Sequence, residues 1–248
     1  LYVSADENAE KLVSIAADSR LSAWLIQDGW AVVPYKRVIG YLYVGDIKQL
    51  EPVAPNPDYA QEGDIISVFT TFYSLRSTEL NLGRMENIRV GCNYINGSYE
   101  AGYVFDFDAV AGPYRKSRGY KDSPVLINGE SVAGSGGGTC QVSTTLYNAL
   151  LQLPEGISIL YRHAHGPSGA TYAPHGVDAA VGRSNVTGGT IKLNLEFQNV
   201  FSFPIVIDCT VQNGALCIAM GVCEIARYFS IGVIGILFRF DLIVGILS

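Results

Sequence analysis

A chain of 248 residues that is 48% hydrophobic carries enough apolar side chain for a sizeable core, which excludes wholesale disorder. Its 17 Lys and Arg against 23 Asp and Glu leave a formal charge of −6 with no basic run, so a nucleic-acid partner, which needs clustered cations, is excluded. Charged residues are only 16%, against 27 Gly and 15 Tyr, the profile of a strand- and loop-rich protein.

The first 50 residues read as short strands and turns. Leu21 to Ile26 leads into Gln27-Asp28-Gly29, Trp30 to Val33 follows, and Ile39 to Val44 closes the set. Asp-Gly between β-rich runs is a hairpin signal, and several short strands in so small a unit predict a small barrel. Glu51 to Asp58 carries three prolines and reads as a linker. The predicted organisation is a small all-β unit over 1–50, a Pro-rich linker over 51–64, a larger domain over 65–221 and an apolar tail over 222–248. The fold class is α+β. Within the larger domain, Ile65 to Tyr73 is β-rich and Arg84 to Tyr94 reads as a short helix. Thr190 to Phe197, Pro204 to Val211 and Ala215 to Met220 read as further strands.

Gly134 to Gly138 is a glycine-rich turn feeding Thr139-Cys140. Val142, Leu146, Ala149, Leu150 and Leu153 then share one helical face, and Pro154 and Gly156 stop the helix. Thr139 is the expected N-cap. Cys140 falls in the first turn, where unpaired amides and the helix dipole favour a thiolate. Three alternatives accompany a nucleophilic Cys140. It is a buried structural cysteine; or the loop holds a phosphate, although no P-loop lysine follows; or two histidines join Cys140 or Asp178 around zinc.

The chain's three histidines, His163, His165 and His175, lie within 13 positions. His163 and His165, two apart, would share a face on a strand. A cysteine nucleophile needs a base and the base an orienting acceptor, for which Asp178 is the natural choice. The five cysteines form no C-x-x-C pair, so neither a structural zinc site nor a dense disulfide scaffold is expected, and no metal or cofactor is assigned. The apolar run from Tyr228 to Phe238 is shorter than the about 20 residues of a membrane-spanning helix. A buried strand or helix is the expectation there, with no stable membrane span.

Two resemblances add to this. Gly29-Trp30-Ala31-Val32-Val33 followed by Gly40-Tyr41-Leu42 resembles a bacterial SH3 domain, which implies wall-peptide binding through Trp30 and Tyr41; both also read as plain core aromatics. From about Thr70 to Gly221 the chain resembles a VanW-type domain. The resemblance rests on Arg84-Met85-Glu86-Asn87-Ile88, Gly112-Pro113, Gly119-Tyr120, the long run Gly136 to Asn148, Arg162-His163-Ala164-His165, Tyr172-Ala173-Pro174, Gly176-Val177-Asp178-Ala179 and Phe197-Gln198-Asn199. It implies a bacterial cell-envelope, extracellular protein associated with glycopeptide resistance, with peptidoglycan stem peptides as partners and L,D-transpeptidation through a cysteine as the activity. On that reading Cys140 is the nucleophile, His165 the base with His163 as the alternative, and Asp178 the orienter. A Cys/His wall hydrolase and a non-catalytic wall- or glycopeptide-binding module are the competing expectations. The sequence departs from the family pattern at Gly166, at Asp106 and Asp108, and at Asn194.

Overall fold

The computed structural model describes residues 1–127, 130–166, 169–186, 188–223 and 236–238. Among the described residues the architecture is α+β, strand-rich with three α-helices. At the N-terminus stand β1 (Ser22–Ala23), β2 (Leu25–Gln27), β3 (Trp30–Tyr35), β4 (Val38–Tyr43) and β5 (Leu50–Pro52). β2, β3 and β4 form an antiparallel meander. Asp28 and Gly29 both take positive φ, 50° and 83°, and Gln27 pairs with Trp30, so the predicted Asp-Gly hairpin is a two-residue turn whose twist suits its strands. The meander is docked on the rest of the chain. Leu21, Ala23, Ala31 and Val33 share a buried cluster with Phe72 and Ala215, and the Ser22 N–H donates to Thr70 Oγ1 at 2.8 Å.

The larger part runs β6 (Ile65–Phe72), α1 (Glu79–Ile95), β7 (Gly97–Tyr99), β8 (Val104–Asp106), α2 (Phe107–Ala111), β9 (Asp122–Ile127), β10 (Glu130–Ser135), α3 (Thr139–Leu150), β11 (Ile157–Arg162), β12 (Gly182–Val186), β13 (Gly189–Leu193), β14 (Leu195–Asn199), β15 (Ile205–Gln212) and β16 (Ala215–Val222). Its centre is an antiparallel sheet in the order β6-β16-β15-β7. β6 is buried from Ile66 to Phe72 and β16 from Ala215 to Met220, an unbroken run rather than an alternation, because both sheet faces are covered. α3 lies across β6 and β16, tied by a 2.7 Å bond between the Thr71 and Thr145 hydroxyls. A second sheet, β11-β14-β8, brings Phe197 and Phe105 into a stack at 4.8 Å.

One expectation changes and one element is new. Helix α1 begins at Glu79 rather than Arg84: Gly83, a poor helix former, is retained inside it because a Cβ there would run into Asp122 O. The hairpin β9–β10 was not foreseen. Of the apolar tail, Ile236–Phe238 forms a strand, β17, paired in parallel with β1 and β5; the remainder of 224–248 lies outside the described residues. Among the described residues no helix is long and apolar enough to cross a membrane.

Candidate active site

The glycine-rich turn is fixed from below by Asn87 of α1. Its fully buried side-chain amide lies 3.0 Å from Gly137 O, 3.0 Å from Lys121 O and 2.9 Å from Ser123 Oγ, while its oxygen accepts from the Lys121 N–H at 2.6 Å. Gly137 sits where a Cβ would strike Pro124 O, and Gly138 turns the chain into α3 at φ 111°. Gly138 is therefore the N-cap residue. Thr139, expected as the cap, is the first helical residue, and its hydroxyl donates back to Gly136 O at 2.9 Å. The left-handed bend needs a residue without Cβ, which displaces the cap by one position. Ten of the twelve residues of α3 are buried; only Cys140 and Tyr147 reach toward solvent. The helix thus delivers one nucleophilic side chain at its start.

Opposite Cys140 runs the segment Val177 to Gly182, laid along α3 by polar side chains. Asn148 Nδ2 donates to Val177 O at 2.8 Å, Ser143 Oγ to Ala179 O at 2.6 Å, and the Ala179 N–H to Thr144 Oγ1 at 3.0 Å. The same register puts the Val181 N–H and Val181 O each 3.5 Å from Cys140 Sγ. The segment also carries Asp178, whose Oδ2 accepts from the His165 backbone N–H at 2.8 Å and lies 2.5 Å from His165 Nδ1. Arg162 holds the other oxygen, Oδ1, at 3.3 Å and donates to Asp178 O and Gly176 O at 2.5 and 2.7 Å. With Nδ1 committed to Asp178, the ring's Nε2 is left to face the thiol.

The electrostatics agree with that arrangement. Burial disfavours the His165 imidazolium, yet the hydrogen bond and charge of the Cys140 thiolate, with those of Asp178, outweigh it and hold His165 above its ordinary value of 6.5. Burial likewise opposes the Asp178 carboxylate, and the bonds from the His165 backbone and ring overcome it, holding Asp178 below 3.8. The pair thus favours imidazolium at His165 and carboxylate at Asp178.

Cys140, His165 and Asp178 are thus brought together. His163 is not: its Nδ1 lies 2.7 Å from Ala164 O, and the chain leaves β11 at Arg162, so the alternation of a strand does not extend to His165. His175 is exposed. Among the described residues no three His, Cys, Asp or Glu side chains are grouped to hold a metal ion. Trp30 is buried in the meander, its ring 5.8 Å from Tyr2 and 5.5 Å from Tyr43, and Tyr41 is partly buried. Sequence reasoning missed Arg162, whose signal was its place in the Arg162-His163-Ala164-His165 run. It missed Tyr172, whose ring meets His165 edge-on at 6.5 Å. It also missed Tyr114, which bonds Asp108 Oδ1 at 2.5 Å and lies against Gly136 and Gly182.

Two of the departures from the family pattern are partners. Asn194 Nδ2 donates to Asp106 Oδ1 at 2.7 Å, and Asn194 Oδ1 accepts from the Asp108 N–H at 3.0 Å. The Asn194 amide thus donates to one aspartate and accepts from the backbone of the other. Gly166 takes φ 84° with no atom within 4 Å of a would-be Cβ, and its carbonyl accepts from the Gly169 N–H at 3.1 Å.

The family model described as VanW like protein matches residues 83–220, which include every residue of the Cys140–His165–Asp178 constellation. The chain is 35% identical over 141 residues to the uncharacterized protein YoaR of Bacillus subtilis (strain 168); the match takes in 56% of this chain and 43% of that protein, so the chain corresponds to less than half of its relative. No solved structure matches the chain. With the family's match extending over more than half of its length, the chain belongs to the family of VanW like proteins.

Proposed function

We propose that the chain is a cysteine-dependent acyltransferase of cell-wall peptides, an L,D-transpeptidase acting on peptidoglycan stem peptides. The family ties it to cell-wall or vancomycin-resistance-related proteins. The observation that carries the chemistry is the His165 ring, engaged by the Asp178 carboxylate at Nδ1 and held above its ordinary value by Cys140 and Asp178 beside it.

In the first half-reaction Cys140 Sγ attacks the carbonyl carbon of an L-centre in the stem. The amide C–N bond to the terminal D-residue breaks, its nitrogen takes a proton from His165, and a thioester remains. Negative charge on the carbonyl oxygen needs donors. The Thr139 and Gln141 amides are spent on Gly136 O and Gly138 O, at 3.2 and 3.0 Å, which leaves the Cys140 N–H at the helix start for this work. In the second half an amine from a neighbouring stem attacks the thioester, gives a proton to His165 and releases the thiolate. Attack by water instead gives the hydrolase, and the two reactions share every residue named here. The N-terminal meander, read as an SH3-like unit, would hold the stem through Tyr41, the more exposed of the two aromatics, with Trp30 packed in the meander, and the protein would work in the bacterial cell envelope.

The test is mass spectrometry of muropeptides incubated with the whole chain and with Cys140→Ala. New 3-3 linked dimers with the intact chain alone support transfer. Trimmed monomers alone move the assignment to hydrolysis, and unchanged muropeptides move it to a binding module.

A further inference from the structure

Arg84 has an unusual set of partners. It lies on α1, half-buried, with its stem against the glycine-rich turn: a Cβ on Gly138 would stand 3.3 Å from Arg84 Cγ. One guanidinium nitrogen, Nη2, donates to Gln141 Oε1 at 2.8 Å. Gln141 is itself buried and locked, since its Nε2 donates to Thr71 Oγ1 and Phe72 O, each at 3.1 Å; its oxygen is therefore turned toward Arg84. The guanidinium carbon lies 5.9 Å from the ring of Tyr172, the same ring that meets His165. Gln141 is the residue after Cys140. The arginine head group is thus placed between the nucleophile's helix start and the ring bordering the base.

What the head group lacks is an anion. Among the described residues Arg84 forms no ion pair, and its neighbour on α1, Glu86, is taken by Arg89 at 2.6 Å. A guanidinium withdrawn from water among neutral partners is costly, and its planar fork suits a carboxylate.

We propose that Arg84 is the carboxylate-recognition residue of this site, binding the free α-carboxylate of the terminal residue that leaves the donor peptide. This rests on the acyl-transfer reading for the identity of its ligand. The chemistry fits the position, because the leaving residue's carboxylate is only a few bonds from the carbonyl that Cys140 attacks. Gln141 orients the guanidinium through its neutral oxygen and leaves the guanidinium's charge uncompensated for the incoming ligand.

The experiment has two arms. In the first, Cys140 in the whole chain is alkylated with iodoacetate and with iodoacetamide, each of which forms an S–C bond and expels iodide. The two reagents differ in the carboxylate, so the ratio of their rates reads local positive charge without any peptide. Arg84→Gln is expected to lower that ratio by roughly threefold to tenfold, the size of one nearby cation's field in a partly buried site. Arg84→Lys, which keeps the charge and is the control for folding, is expected to keep most of it. In the second arm, a stem tetrapeptide ending in a free acid or in a carboxamide is offered, and the acyl adduct on Cys140 is followed by intact mass. The intact chain is expected to prefer the acid, and Arg84→Gln to lose that preference, mainly through KM. A ratio unchanged in Arg84→Gln overturns the assignment of Arg84. A lowered ratio with no adduct from either peptide keeps Arg84 as an anion site and sinks the acyl-transfer reading instead.

Discussion

One carboxylate oxygen of Asp178 holds both the ring and the backbone of His165: Oδ2 is 2.5 Å from Nδ1 and 2.8 Å from the peptide nitrogen. Two bonds to one atom fix the ring's rotation and its tautomer together, since Nδ1 must carry the proton that points to Asp178. Asp178→Asn keeps the shape but not the charge, and its amide can present N–H to Nδ1. Peptide acylation of Cys140 is expected to fall by about 10²-fold or more, as when the orienting carboxylate of a serine triad is neutralised. Single-turnover rates on the variant check this; activity within twofold of the intact chain would remove Asp178 from the relay.

The same pair gives a stability profile with a defined window. His165 is raised above 6.5, so its share of the ion pair is complete below that pH and fades as pH rises through the raised value. Asp178 is lowered from 3.8, so its share is complete above that pH and fades as pH falls through the lowered value. The gap in Tm between the intact chain and Asp178→Asn is therefore widest between 3.8 and 6.5, narrow in strong acid, and reduced but not lost at high pH, where the bonds from Arg162 and the His165 backbone persist. Thermal melts across pH decide it, and a gap of constant size would show that the pair is not titrating.

NMR of the His165 ring offers a direct reading of its partner. Cys140 is one of the groups that hold the imidazole up, so Cys140→Ser should lower the His165 midpoint toward 6.5. Equal titration of His165 in both proteins would separate the ring from the sulfur.

Asn87 is expected to matter as much for placement as for stability. Asn87→Ala leaves the Lys121 N–H without its acceptor and takes one donor each from Lys121 O and Gly137 O, which keep the Gly136 N–H and the Ser123 hydroxyl. The cost should be about 1–3 kcal/mol, the range for leaving one polar group unsatisfied. Denaturant melts give the stability. Alkylation of Cys140 at a temperature where the variant is folded gives the placement, and it should be slower than in the intact chain.

Arg37, in the turn after β3, reaches the segment beside the site, donating to Ala170 O at 3.0 Å. It is exposed, so Arg37→Ala should change stability by under about 1 kcal/mol. If the N-terminal unit steadies this segment, acylation should slow severalfold with no change in the melt. Identical kinetics would leave the contact without consequence for the reaction.

The sequence showed some of this directly. The address of Cys140 was readable because a glycine run and an amphipathic helix are local signals. The histidine cluster narrowed the base to two candidates, but period-two alternation could not choose between them, since β11 ends at Arg162 and the next residues follow hydrogen bonds to the Asp178 segment instead. Arg162 and Asn87 were invisible as functional groups for a related reason. Each acts through contacts 14 to 50 positions away, which no local pattern encodes. Thr139 looked like a cap because capping preference is a statement about residue type, whereas the bend at Gly138 is a statement about space.

His165 and Asp178 stand 13 positions apart, and Cys140 is 41 positions from the Val181 that flanks its sulfur. The base and its carboxylate therefore travel as one short piece of chain, and the nucleophile belongs to another. Until the segment from Val177 to Gly182 settles along α3, Cys140 is an ordinary thiol without a base. The three groups therefore come together only with that docking. The rate at which Cys140 outpaces the chain's other cysteines in alkylation then reports whether the segment is in place.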